Sequence, residues 1–462
     1  MNELMFLSLK RMAAMVRNKT LSSAELTEAH LDRIAQVNPR LNAIVELDGE
    51  AAMTSARAAD QRLARGAADG PLHGVPMTVK GAWDCAGMIN TGGTLGRKGF
   101  VAQQDATVIA RMRQAGAIPI GVTNLPEFSF AFESDNLVYG RTLNPYLASR
   151  SAGGSGGGGA AAIASGCSPF EAGGDLGGSI RLPAHNNGIA GLKTTLGRVP
   201  LTGYFPGPFG VVTLAATAGP MARFVEDLTL TLPLMMGPDM IDASAVDATL
   251  GDPDEVRPGK LRIAFHTHNG IQPCTPETAA TVEQAARQVA ASGSIVEEGI
   301  PEGTPECYEI FLGLMAADGG AGLRELLKMC GTTELSPLLG ETLEVFRQRA
   351  VSSTEFGALL VRRDLYRMQV LSFFQRYDAL LCPVNAFPAL PHGESVAHLP
   401  AFSYTIAHNL SGCPGAVVRC GESAEGLPIN VQVVAAPWKE HIALAVASHL
   451  EQACGGWKRP RL

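Results

Sequence analysis

The chain has 462 residues, 46% of them hydrophobic and 18% charged, with a net charge of -7 at pH 7. That is enough apolar material for a large core and too much chain for a small recognition module. With no block of like charges, a nucleic acid or an anionic membrane surface is not expected as the main partner, and a small molecule is.

The nine cysteines (85, 167, 274, 307, 330, 382, 413, 420 and 454) are odd in number, scattered and never spaced as CxxC. Neither a disulfide framework nor a zinc site is indicated, and a reducing cytoplasm is the expected location. The N-terminal MNELMFLSLKRMAAMVRNKT lacks the secretory order of charged, apolar and small-residue regions, and no run of 18 or more apolar residues follows. No membrane span is therefore expected.

In chain order, Ser22 with Glu25 forms a capping-box pair ahead of Leu26, Leu31 and Ile34. It predicts an amphipathic helix running to about Asn38, with Pro39 ending it. A second helix, AAMTSARAADQRLARG, should stop near Gly66, and Met77 to Lys80 then reads as a short strand ending in a lysine with apolar flanks. Asp105 is placed to cap a helix through Gly116, and AIPIGVTN reads as a buried strand. This alternation predicts an α/β fold with a largely parallel sheet, and no linker interrupts residues 60–230. Further on, helices are expected around 276–292, 340–376 and 440–453, with strands around 378–382, 416–420 and 428–434. There is no internal repeat.

Residues 151–193 hold two serines inside glycine clusters, Ser155 in GGSGGGG and Ser179 in GGDLGGS. Taken alone, GGSGGGG is what a flexible linker looks like. It enters the alanine-rich AAAIAS directly, however, and a glycine loop opening a helix presents N–H groups suited to negative charge. Three chemistries compete. Gly153-x-Ser155-x-Gly157 has the letters of a nucleophile elbow, in which Ser155 attacks, but the preceding RTLNPYLASRSA is turn-like and not a strand. Phosphate binding is weaker, because no GxxxxGK[ST] or GxGxxG lies between a strand and a helix. The third uses Lys80 as a base for a serine, with backbone N–H groups from Asp175 to Ser179 cradling the oxyanion.

HGVPMTVK (73–80), GGSGGGGAAAIASG (153–166) and GGDLGGSIRLPAHNNGIAGLKTTLGRV (173–199) resemble the amidase signature hydrolases. So do GPMARFVEDL (219–228), DALLCPVNAFPALP (378–391) and GLPINVQVVAAPWKE (426–440). The resemblance spans nearly the whole chain, and the two serines are twenty-four positions apart, as in the family. It implies one amidase signature domain over 1–462, with a catalytic core of about 60–230, built as an α/β/α layer around a large mixed, twisted β-sheet.

It also implies a Ser-cisSer-Lys triad: Ser179 as acylated nucleophile, Ser155 after a cis bond from Gly154 as proton relay, and Lys80 as base. An oxyanion hole at Leu176, Gly177 and Gly178, and structural support from Asp175, Arg181 and Gly154, follow from the same resemblance. No cofactor or metal is implied. Two positions depart from the family pattern: Gly156 replaces the serine common after the cis-serine, and Gly174 replaces the usual Thr or Ser. Leu182 and Ala216 stand where the glutamine-using component of the tRNA amidotransferase has Gln and Asp, which disfavours that role.

The expected function is an amidase for uncharged, hydrophobic or aromatic amides, extending to esters and aryl carbamates (urethanes). Phe128, Phe130, Phe132, Tyr204, Phe205 and Phe209 are the expected pocket wall, with no Arg or Lys cluster among them to hold a carboxylate. Two alternatives stay open: an esterase with Ser155 as nucleophile, and a non-catalytic or amidotransferase-type subunit needing a partner. The choice between monomer and homodimer is left open.

Overall fold

Apolar and β-branched runs bounded by glycine and proline form thirteen strands among the residues described by the computed structural model, 3–207 and 209–462. They are β1 (Ile44–Leu47), β2 (Pro76–Lys80), β3 (Ile118–Thr123), β4 (Asp135–Asn136), β5 (Gly140–Arg141), β6 (Phe170–Asp175) and β7 (Ala190–Lys193). The rest are β8 (Thr217–Ala222), β9 (Arg262–Phe265), β10 (Ile295–Glu298), β11 (Ala379–Pro383), β12 (Gly415–Glu422) and β13 (Pro428–Ala435). All but β4 and β5 join one sheet of eleven strands, in the order β1-β3-β2-β6-β8-β7-β12-β13-β11-β9-β10.

The sheet is mixed, as the family resemblance implied, and not largely parallel as the helix–strand alternation alone suggested. β2 runs parallel to β3 and β6, and β9 to β10 and β11, but the remaining pairs are antiparallel. Chain length explains part of this: only residues 423–427 join β12 to β13, whereas a parallel crossover needs about a dozen residues or more.

Side chains alternate between the two faces of a strand, and the core divides accordingly. On β12, Ala416 and Val418 pack with Val225, Leu228, Val282 and Leu444, while Val417 between them packs with Ile163, Ile180 and Ala184. Helices Val225–Met235, Pro276–Ala291 and Glu440–Cys454 thus cover one face, and the short helices Gly157–Ala164 and Arg181–Asn186 cover the other.

Three expected boundaries move. The Ser22–Glu25 capping box is present, but the helix continues through Pro39 to Leu41 and stops at left-handed Asn42. Burial of Ile34, Val37 and Leu41 in a common cluster outweighs the hydrogen bond that proline removes. Asp105 does not cap the helix Thr107–Gln114; it accepts the N–H of Ala86 at 2.8 Å and pairs with Arg113 at 3.1 Å. The single helix expected over 340–376 is two, Pro337–Gln348 and Ser353–Phe373, the second opened by a capping box of Ser352 and Glu355. Helices Cys307–Met315, Ala321–Cys330 and Ser403–Ser411 were not anticipated. Among the described residues no helix is long and apolar enough to cross a membrane.

Candidate active site

GGSGGGG is not a linker. Residues 151–165 are buried throughout, and helix Gly157–Ala164 begins immediately after the loop. The peptide bond Gly154–Ser155 is cis. A side chain at Gly154 would run into the backbone of Phe132 and Glu133, so the loop can lie against that segment only as glycine. No strand precedes Ser155, and the elbow reading lacks the element it needs.

β2 lies between β3 and β6 with all five residues buried, which carries Lys80 at its end into the interior with no exposed surface. Its Nζ donates to Ser155 Oγ at 2.8 Å and to Tyr204 Oη at 2.9 Å. Ser155 is also fully buried, whereas Ser179 retains 7% of its surface. Of the three, Ser179 is the one a solute can reach.

Ser179 stands in the turn between β6 and helix Arg181–Asn186, and Asp175 at the end of β6 shapes that turn. The Asp175 carboxylate accepts the N–H groups of Gly178 at 2.8 Å and Ile180 at 3.1 Å. Gly178 therefore differs from its expected role, since its N–H is already taken. The N–H groups of Leu176, Gly177 and Ser179 donate to no protein acceptor among the described residues.

Arg181 anchors the carboxylate. It donates to Asp175 through Nε (3.1 Å) and Nη2 (2.9 Å), to Gln432 Oε1 at 2.7 Å, to Asn409 Oδ1 at 2.6 Å and to the carbonyl of Thr405 at 2.9 Å. Burial alone would raise the Asp175 carboxyl, but the Arg181 charge and hydrogen bonds, with Lys193 and Asn409, hold it well below the usual carboxylate range. A second buried lysine, Lys193, is lowered to about 7 by burial and the Arg181 charge; its Nζ donates to the carbonyls of Thr194 and Cys413 at 3.0 and 2.8 Å. Those bonds make it a strut between β7 and the segment entering β12.

Two cavities border Ser179, and a third adjoins them at Phe130. A small one of about 40 Å³ touches Ser155, Ser179, Gly174, Leu176 and Tyr204. A second of about 90 Å³ is bounded by Ser179, Gly177, Phe130, Phe132, Phe311 and Ile406. An outer one of about 590 Å³ opens between Phe130, Phe209, Val212, Met315, Leu323 and Phe346. Among the described residues the only charged side chains bordering them are Asp175 and Asp318.

The six expected wall residues divide. Phe130 borders all three cavities. Phe132 stacks on Phe402 at 3.9 Å beside the second, and Phe209, 74% exposed, stands at the outer mouth. Phe128 backs the small cavity with no exposed surface, packed with Leu327, Leu339 and Leu343. Phe205 lies outside the cavities, between Arg97 at 4.0 Å and Phe128 at 5.3 Å. Tyr204 turns its hydroxyl to Lys80. Sequence reasoning missed Phe311, Met315, Phe346 and Ile406, whose helices carry no motif.

A family model described as Amidase matches residues 25–444. The chain belongs to the amidase signature family. This amidase is 32% identical to human fatty-acid amide hydrolase 2 over 99% of the chain and 91% of that protein. It is also 32% identical to one component of the glutamyl-tRNA(Gln) amidotransferase of Salinispora arenicola, over the full length of both. Among solved structures, a 6-aminohexanoate cyclic dimer hydrolase superposes with a TM-score of 0.88 at 29% identity, covering 99% of each chain. The amidase is a hydrolase of carbon–nitrogen bonds other than peptide bonds, on an α/β fold with a large mixed sheet.

Proposed function

We propose that the amidase cleaves uncharged, hydrophobic or aromatic amides through an acyl-enzyme on Ser179. The observation that carries this is the buried 2.8 Å contact from Lys80 Nζ to Ser155 Oγ, with Ser179 in the adjoining turn and open to the cavities. Lys80, neutral at the moment of reaction, takes the Ser155 proton as Ser155 takes that of Ser179, and Ser179 Oγ bonds to the substrate carbonyl carbon. The N–H groups of Leu176, Gly177 and Ser179 receive the oxyanion. Protons return by the same path to the leaving amine, and water then releases the acid.

Apolar walls on both sides of Ser179 support hydrophobic acyl and leaving groups, and among the described residues no cationic side chain borders the cavities to hold a carboxylate. Esters and aryl carbamates fit the same space, and carbamates should react more slowly because nitrogen donation makes their carbonyl less electrophilic.

The test is release of 4-nitroaniline from an acyl 4-nitroanilide by the purified chain alone, with a fluorophosphonate label mapped by mass spectrometry. Activity without a partner and label on Ser179 are expected. Label on Ser155 would restore the elbow reading. Inactivity until a partner is added would favour a role within a larger complex, like that of the amidotransferase relative.

A further inference from the structure

Tyr204 does more than border a cavity. We infer that Tyr204 is a positioning residue that fixes the orientation of Lys80, and that the glycine at 174 exists to make room for it. The inference rests on the reading of Lys80 as the base.

Lys80 Nζ has two side-chain partners, on opposite duties: Ser155 Oγ at 2.8 Å and Tyr204 Oη at 2.9 Å. A lysine must turn its lone pair toward the hydroxyl it deprotonates, and a free ammonium or amine rotates about its last C–N bond. A second partner, the Tyr204 hydroxyl, limits that freedom. Tyr204 Oη accepts from Nζ and passes its own proton toward Ser129 Oγ at 3.4 Å. With one N–H of Nζ held by Tyr204, and Tyr204 in turn held by Ser129, a neutral amine has fewer ways to turn when it exchanges the N–H it gives Ser155 for its lone pair.

The surroundings hold the phenol rigidly. Its ring meets Trp83 edge-on at 4.6 Å, residues 83 and 204 form an antiparallel bridge, and Trp83 Nε1 is tied to the carbonyl of Ala172 at 2.9 Å. At the other end, Phe128 and Ser129 both hold positive φ, 56° and 62°, a conformation bulky residues keep only where neighbours enforce it. Beneath the ring lies Gly174 on β6. A Cβ there would sit 2.7 Å from Tyr204 Cε2 and Cζ and 2.8 Å from Oη, inside the phenol itself. Gly174 and Tyr204 therefore occupy one space between them.

The ionisable groups beside Lys80 are Tyr204, Asp175 at the end of β6, and Glu171 on β6, which burial pushes up to about 7. Glu171 alone could give the activity a pH dependence near neutrality, so it needs its own control.

The experiment is steady-state hydrolysis of a hexanoyl 4-nitroanilide across pH by the wild type, Tyr204→Phe, Gly174→Ala, their double variant and Lys80→Ala, with melting curves for each. Tyr204→Phe keeps the ring. It is expected to lower kcat by roughly ten- to a hundredfold with KM nearly unchanged, the loss that follows when a base is misaimed. The rising limb of log kcat/KM should move to lower pH, since the ammonium form has lost an acceptor. The same displacement should appear in a Glu171→Gln background. Gly174→Ala, which pushes the phenol aside, should reproduce the Tyr204→Phe kinetics, and the double variant should be no slower than Tyr204→Phe.

A Tyr204→Phe enzyme with wild-type kcat and an unmoved limb, while Lys80→Ala is dead, overturns this inference and leaves the proposed function standing. So does a rise in KM at constant kcat, which would make Tyr204 a plain wall. An active Lys80→Ala enzyme overturns the proposed function itself. If Gly174→Ala does not fold, Tyr204→Phe decides alone.

Discussion

The carbonyl of Ser179 accepts the N–H of Gly156 at 3.2 Å, so the turn bearing one serine is stitched to the residue after the other. A Cβ at 156 would stand 2.8 Å from that same carbonyl oxygen, which is backbone and cannot swing away. Gly156→Ser is therefore expected to lower kcat/KM by roughly tenfold or more through misplacement of Ser179, since small errors of position cost rate steeply. Kinetics with an acyl anilide, alongside a melting curve close to wild type, would check this; unchanged kcat/KM would show that the two turns can separate freely.

Asp175 and Arg181 form an ion pair with no exposed side-chain surface on either partner. Breaking such a pair from one side leaves a charge in the interior and costs about 3–5 kcal/mol. Arg181→Met should lose stability of that order in urea titration. It should also lose most activity, because the Asp175 carboxylate that holds the N–H groups of Gly178 and Ile180 is no longer anchored. A loss below about 1 kcal/mol would mean the site relaxes around the unpaired carboxylate.

The share of stability contributed by Asp227 should decline as pH rises from about 4 to about 7. Asp227, buried in helix Val225–Met235, is pushed up to about 7 by burial, against hydrogen bonds from the backbone of Lys10 and Leu9 and the charge of Arg223. Its Oδ1 accepts the Lys10 N–H at 3.0 Å, and its Oδ2 has no protein partner among the described residues. Between the ordinary value of 3.8 and about 7 the native state keeps a proton that the unfolded chain has released. The stabilisation is thus complete below the lower value and lost as pH climbs through the upper one, with a slope of at most about 1.4 kcal/mol per pH unit. Asp227→Asn keeps the acceptor for Lys10 and removes the proton. Its melting temperature should vary less than that of wild type between about pH 5 and pH 8; parallel curves would place the effect on other buried acids such as Glu171 and Glu451.

The parts of the site carried by glycine and charge were legible in the sequence, because each has a local cause. Gly154, Ser155, Asp175, Ser179 and Lys80 sit in runs whose composition makes sense only around a turn or a strand end, and the structure brings Lys80 to Ser155. Long-range packing was not legible. Tyr204 read as one more aromatic among six, since nothing near 204 announces that its hydroxyl reaches a lysine 124 positions earlier. Asp105 and Pro39 misled for a related reason: each offers a local signal that a tertiary partner, Arg113 or the cluster of Val37 and Leu41, overrules. The mixed sheet followed from the family resemblance but not from the alternation of helix and strand, which does not reveal that β8 runs antiparallel to both β6 and β7 or that β12 and β13 form a hairpin.

Phe130 separates the inner cavities from the outer one, bordering all three. Phe130→Ala should merge them and weaken the grip on small aromatic acyl groups while admitting longer chains. With a series of acyl 4-nitroanilides, KM for the benzoyl member is expected to rise several-fold, and the preferred chain length to grow by a few carbons, each methylene being worth about 1 kcal/mol. An unchanged chain-length profile would show that selection is made elsewhere.

Much of the outer wall comes from a different part of the chain than the chemistry. Lys80, Ser155 and Ser179 belong to the first two hundred residues, while Phe311, Met315, Leu323 and Phe346 all lie between β10 at the sheet edge and β11 two places inward. That excursion leaves the sheet and returns to it without passing through β2 or β6. Residues 299–378 can therefore be altered at the outer wall with the strands that bear Lys80 and Asp175 left in place. A laboratory seeking a new substrate has the same freedom, and its libraries belong there.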